Sequence, residues 1–311
     1  MKLSLFSVIL FIILGLTIIG LYIGTNKQIL SKVTLETIGY QMPVLGFLTF
    51  AQFIPMVNGG IDLSIISVAN FAGIIAAILM KQFSYSPLMA IFSGIAAALV
   101  AGSVNGILIS IVKAPALLVT LATGFLVKGI SLGITKGYII SGLPNSFIVL
   151  GAGNLLGIPI SFLLLLLSSC ILALTFARTA FGRSIYLVGA NPVASLFSGI
   201  STRNIQSSVY ICSAFLSGTA GLIMAARFNA AQADYGGGYL LVTVLICVLG
   251  GVSPTGGTGR ISDVFVALTI LQLISTGFNV MRTSAYLATA LWGMLLLGIL
   301  LITRKVPKHM I

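Results

Sequence analysis

The sequence predicts an all-α integral membrane protein with about ten transmembrane helices, broken or re-entrant near 57–64 and 250–260. Three observations predict it. Hydrophobic residues fill 58% of the 311 positions and only 6% are charged, where an ordinary soluble domain carries roughly a quarter charged. Apolar runs of about 20 residues, the length that crosses a bilayer, recur along the chain. Gly- and Pro-containing pieces interrupt those runs at 57–60 and 250–257. In water this composition would make one continuous apolar patch. Lipid removes that problem, provided the backbone satisfies itself as helix.

The first apolar stretch lies between Lys2 and Lys27. It is too long for a signal-peptide core and lacks a small-residue cleavage site, so it is expected to persist as a first helix. Further spans are expected at 38–57, 64–80, 87–112, 115–135, 158–177, 206–226, 239–251, 263–280 and 285–303, all within one domain, 1–311. The span at 239–251 is short, and the following GVSPTGGTGR is too Gly-rich to extend it as regular helix. Both interruptions read Gly-Gly, a branched apolar residue, then a small polar or acidic one: Gly59 to Asp62 and Gly250 to Ser253. Such pairing can mark an internal repeat.

The formal net charge is +12, from 16 Lys and Arg against 4 acids. The basic residues stand singly between apolar runs, with no basic stripe interleaved with aromatics, so nucleic acid is set aside. Placing both termini in the cytoplasm puts the largest basic clusters, 178–203 and the C-terminal tail, on the inner side. The longest inner segment is then 178–204, and the longest outer ones are about 136–157 and 227–238.

Chemistry is sparse. His309 is the single histidine, and Cys170, Cys212 and Cys247 all sit in apolar runs as small packing residues, so His/Cys metal sites and His-based triads are excluded. The acids are Glu36, Asp62, Asp234 and Asp263, too few for an acid–base enzyme. No G-x-x-x-x-G-K-[ST] occurs, so ATP is not expected to bind through a P-loop of this chain.

The first functional constellation is Asn58, Gly59, Gly60, Ile61, Asp62, Leu63 and Ser64. Its glycines break the helix, and Asp62 or Ser64 can cap the next one. A carboxylate between apolar runs also fits a pathway or gate element. Both readings stand, as does a third, in which Asp62 is the ion site of an ion-coupled secondary transporter.

The GGIDLS string within this stretch resembles the signature of the ribose/xylose/galactoside-type ABC importer permeases. The resemblance continues in order through Val104 to Leu108, the run PALLVTLATGFLVKG from Pro115 to Gly129, and the residues Gly182, Arg183, Tyr186, Gly189 and Asn191. It closes with Ala194, Ser198, Gly199 and Ile200, and then with Gly250, Gly251, Gly256, Gly257 and Gly259. Departures occur at Leu240 to Val242, where the family usually has an acid, at Ile65 and Ile66 in place of Val-Gly, and at Lys128, where Arg is common. The resemblance implies a bacterial inner-membrane permease for a sugar or sugar-like solute, with autoinducer-2-like compounds and nucleosides as alternatives. It also implies a second permease (identical or paralogous), ATPase subunits that bind the ATP, and an extracytoplasmic solute-binding protein.

The second constellation is the inner loop. Asn191 can cap a short helix with Pro192 at its first position, and Gly199 can end it after 198. Such a helix suits docking into a groove on another protein. The resemblance makes it the coupling helix that receives motion from the ATPase, involving Gly189, Asn191, Pro192, Ala194, Ser198 and Gly199.

Close-spaced glycines such as Gly102 with Gly106 and Gly218 with Gly221 are expected to serve helix packing. Lys128 falls near the outer end of its span, where it can snorkel or serve the pathway. Asp263 is expected to start a helix and Arg282 to lie in a loop.

Overall fold

The computed structural model describes residues 5–283 together with 293 and 294. Helix α1 spans Leu5–Gly24 and, after a 3₁₀ turn, α2 spans Lys32–Val57. Ser31 caps α2 by accepting a hydrogen bond from the Thr34 amide. The helix therefore begins at Lys32 rather than at the expected 38, because its polar first turns extend past the apolar run. Helix α3 is Ile65–Gln82 and α4 is Pro87–Ser110, which starts with a Ser86 cap and Pro87 in the first turn. Helix α5 is Ala116–Thr135.

A small subregion follows: strand β1 (Ile140–Ser141), α6 (Asn145–Ala152), β2 (Asn154–Leu155) and β3 (Ile158–Pro159). Then come α7 (Ile160–Arg178), α8 (Ala180–Ala190), α9 (Pro192–Phe197), α10 (Thr202–Phe228), β4 (Ala230–Ala231), α11 (Tyr239–Leu249) and α12 (Ile261–Val280). The strands form two short antiparallel pairs, β1 with β4 and β2 with β3.

Among the described residues, eight helices are long and apolar enough to cross a membrane. The expected short span is α11, whose 11 residues reach only about 16 Å at 1.5 Å per residue. The expected tenth span, 285–303, and the basic C-terminal tail lie outside the described residues. The all-α membrane architecture is borne out, and the chain is a multi-pass membrane protein. The segment 178–204 holds two helices, α8 and α9, where one was expected; Thr179 caps α8 by accepting from the Gly182 amide.

Two helices make the core. Every residue of α2 from Met42 to Val57 is buried. Helix α10 packs against α2, α3 and α4. Small residues allow this approach, as expected: a Cβ on Gly221 would collide with the Ala69 carbonyl, and one on Gly106 would stand 2.9 Å from the Ser207 carbonyl oxygen. Helices α1 and α7 instead present apolar faces outward, with Leu16 64% and Leu167 59% exposed, as lipid-facing helices do. Asp263, in the first turn of α12 as expected, accepts from Ser7 Oγ at 3.0 Å and ties α1 to the bundle.

The connections sort to two ends. One end gathers the break after α2, the α4–α5 turn, α8 and α9, and 250–260, where the Gly257 amide donates to Val57 O at 2.8 Å. The other gathers the β1–β4 pair and the α3–α4 turn, with Lys81 Nζ donating to Gly142 O at 3.0 Å.

Candidate functional site

The break after α2 is closed by a Schellman cap. Asn58 ends the helix and Gly59 takes φ +84°, a left-handed value that glycine adopts without Cβ strain. The Gly59 amide donates to Met56 O at 3.0 Å and the Gly60 amide to Pro55 O at 2.9 Å. Helix α11 ends the same way: Gly251 has φ +77°, and the amides of Gly251 and Val252 donate to Val248 O and Cys247 O. The cap geometry thus equates Gly59 with Gly251, not with Gly250. The four-residue repeat read from the sequence is out of register by one position, because like letters fall on different cap positions.

Three glycine segments meet at the end that holds α8, α9 and 250–260. Gly189 of α8 faces the C-terminus of α2, where a Cβ would overlap Val57 O and stand 2.9 Å from the Gly257 amide. A Cβ on Gly256 would stand 2.7 Å from both Gly189 O and the Gly59 amide. Tyr186 Oη donates to Gly259 O at 2.6 Å, a further tie between α8 and 250–260. Burial pushes the Tyr186 phenol up to about 12, against a smaller lowering by Arg260, so it remains a donor at any physiological pH.

Asp62 lies beyond the cap, 2% exposed. Its Oδ1 accepts from the Ser64 amide at 2.9 Å and from Ser64 Oγ at 2.6 Å. Its Oδ2 accepts from Ser213 Oγ of α10 at 2.8 Å. Asn105 Nδ2 of α4 donates to Ser64 Oγ at 3.0 Å. The capping candidates separate: Ser64 occupies the N-cap position of α3 but its side chain makes no cap bond, and Asp62 accepts the backbone amide instead. Among the described residues, Asp62 forms no ion pair. Hydroxyl and amide donors therefore offset its desolvation.

A cavity of about 420 Å³ opens at that same end. Asn58, Gly59 and Gly60 line it together with Lys113, Pro192, Leu196, Gln206 and Tyr210. The break in α2, the α4–α5 turn, α9 and the start of α10 thus share one space. Asp62 and Ser64 line no part of it; they lie behind its wall.

Helix α9 is built as expected. Asn191 Oδ1 accepts from the Ala194 amide at 3.0 Å, Pro192 is in the first turn, and Gly199 closes a Schellman cap at φ +79°. Val193, Leu196 and Phe197 are 65%, 59% and 88% exposed, whereas Ser195 is buried. Ala194, Ser198 and Gly199 share the exposed side, while Gly189 is buried one helix away.

Lys128 is at the opposite end. Its Nζ pairs with Asp234 Oδ1 at 2.6 Å on the rim of a second cavity of about 240 Å³. Asn70 holds the segment around Asp234, donating to Ala233 O and Tyr235 O at 2.9 Å each. Arg282 follows α12 in a left-handed turn, as expected. The sequence reading missed Asn105, Ser213, Tyr210 and Asp234 as members of these sites, since their partners are remote in sequence.

Residues 34–303 match the family described as branched-chain amino acid transport system / permease component. The chain is 31% identical to the ribose import permease protein of Bacillus subtilis over 295 residues, 94% of this chain and 91% of that protein. It is 29% identical to the L-arabinose transport system permease protein of Escherichia coli K12, covering 89% of this chain and 84% of that protein. It is 30% identical to an autoinducer 2 import system permease protein of Escherichia coli, covering 88% and 80%. No solved structure matches. The resemblance carried by the GGIDLS string and the later motifs is therefore borne out, and the chain belongs to the permease-component family of these ABC importers.

Proposed function

We propose that this chain is the transmembrane subunit of an ATP-driven importer for a sugar or sugar-like solute, forming the path and borrowing its motion from a separate ATPase. The observation that carries this is α9. A six-residue helix capped at both ends presents Phe197 outward, 88% exposed, while Val193 and Leu196 border the 420 Å³ cavity at this end, the inner one in this reading. Exposed apolar residues on a rigid short helix suit insertion into a partner's groove. The neighbouring α8 is wedged by Gly189 against the broken end of α2, so a push on α9 reaches the inner cavity through backbone contacts.

The connection 178–203 at this end gathers Arg178, Arg183 and Arg203, a basic cluster that supports a cytoplasmic assignment for this end and for the N-terminus, in a bacterial inner membrane. ATP would be bound by the partner. A second permease, identical or paralogous, would complete the membrane unit, and an extracytoplasmic binding protein would deliver solute to the outer end. The relatives' names, for ribose, L-arabinose, D-allose and autoinducer 2, support a small hydroxyl-rich solute. Asn58, Gly59, Gly60 and Lys128 are assigned to the path, with Asp62 and Ser64 anchoring its wall. An ion-coupled transporter with Asp62 as the ion site is not favoured, because Ser64 and Ser213 already occupy its carboxylate and it lines neither cavity.

The test is uptake by proteoliposomes containing this chain, its ATPase and its binding protein. ATP should be required, and Phe197→Asp should abolish uptake while insertion stays normal. Unchanged uptake in that variant would remove the coupling role.

A further inference from the structure

The two cavities lie back to back along α5. The inner one is walled by Gly60, Ala116 and Tyr210, and the outer one by Leu63, Leu121 and Leu240. On α5 the walls are separated by the rise from Ala116 to Leu121, about 7.5 Å. On the re-entrant segment they are separated only by Ile61 and Asp62.

Thr120 stands in that interval, fully buried. Its Oγ1 accepts from the Leu63 amide at 3.1 Å, and its one proton faces Ala116 O at 2.8 Å and Ile61 O at 3.1 Å. The hydroxyl therefore holds the Leu63 amide on one side of Asp62, and its proton, shared with Ala116 O, reaches Ile61 O on the other. Gly124, one turn on, packs α5 against this segment, its Cβ position 3.4 Å from Ser64 Cα, at ordinary contact distance.

Both cavities also have polar atoms to spare. Asn58 Oδ1 and Ser110 Oγ at the inner one, and Asn70 Oδ1 at the outer one, are buried without a hydrogen-bond partner. The outer cavity's charges compensate each other, Lys128 against Asp234, and Phe125 supplies an exposed aromatic face. A neutral molecule with many hydroxyls and one apolar face matches that lining.

We propose that the cavities are the outer and inner halves of one solute path, that Ile61–Leu63 latched by Thr120 is the closed barrier between them, and that the outer half receives a neutral, hydroxyl-rich solute. The solute class rests on the importer reading above; the barrier is a property of this chain alone.

The experiment uses the full chain in membrane vesicles, with Cys170, Cys212 and Cys247 replaced by Ala. Single cysteines are placed by Ser67→Cys on the outer wall or Gln206→Cys on the inner wall. A membrane-impermeant thiosulfonate should label the first from the outer side only and the second from the inner side only. Leu63→Ala or Thr120→Val should raise inner-side labelling at Ser67→Cys about tenfold, the effect of losing a plug or a latching hydrogen bond, while Thr120→Ser should not. D-ribose should slow outer-side labelling at Ser67→Cys, and L-leucine should not. Labelling of Ser67→Cys from the inner side in the parent background would overturn the barrier. So would unchanged sidedness in both barrier variants when Gln206→Cys still reports normal insertion. Protection by leucine, or by neither compound, would overturn the solute class. No nucleotide or ATPase is present, so correct sidedness in a chain that fails ATP-driven uptake would keep the barrier and reject the importer reading.

Discussion

Asp62 on the re-entrant segment and Ser213 near the middle of α10 are joined by a 2.8 Å hydrogen bond, which fastens the broken end of α2 to the most central packing helix. With Ser64 and Asn105, it ties α3, α4 and α10 to one carboxylate. The consequence is that the segment between the two cavities is held by residues that line neither.

Asp62→Ala should strand the buried Ser213 hydroxyl and the Ser64 amide, destabilising the protein by about 1–3 kcal/mol or more. Thermal unfolding in detergent should show the loss as a lower Tm. Asp62→Asn, which keeps an acceptor, should lose less. Equal stability of Asp62→Ala and the parent would show that the network contributes nothing.

Gly189→Ala should disconnect motion from the path. The added Cβ meets backbone at Val57 and Gly257 and cannot be absorbed by a flexible side chain. ATP-driven uptake should fall by about tenfold or more, on the scale of an overpacked core site, while α9 still binds the ATPase. Binding of the ATPase by pull-down, measured beside uptake, separates the two effects.

Removing the Asn191 cap should weaken α9 without touching its apolar face. Asn191→Ala should cost about 1 kcal/mol of local helix stability and reduce ATPase affinity several-fold. Asn191→Asp, which keeps the cap, should restore it. A titration of purified ATPase against reconstituted permease reads the difference.

Tyr186→Phe removes the donor to Gly259 O and leaves that carbonyl without its partner. The expected loss is about 1–3 kcal/mol in the contact between α8 and 250–260. It should appear as faster proteolysis or hydrogen exchange at 253–260, with insertion intact. Protection equal to the parent would show that the bond does not hold the segment.

What the sequence made legible was local. Asn191, Pro192 and Gly199 lie within one short helix and its caps, so their roles follow from backbone chemistry alone, and the structure places them as expected. The apolar runs gave the spans for the same reason. Contacts across the bundle were not legible. Thr120 read as one polar letter in an apolar helix, and only the approach of Ile61 and Leu63 makes it a latch. Asp234 was only one of four acids in the sequence, and the fold places Lys128 beside it. The paired Gly-Gly strings misled by one residue, because a Schellman cap is defined by which residue takes the left-handed conformation, and letters do not reveal that. Gly189 was grouped with the docking residues by motif, yet its burial against Val57 makes it a link behind them.

The most direct measurement is solute accumulation in proteoliposomes that contain this chain, with the ATPase and binding protein added or withheld. Uptake should occur only when both are present with ATP, and Phe197→Asp should stop it. Accumulation by the chain alone, driven by an ion gradient and indifferent to ATP, would contradict a conduit moved through α9.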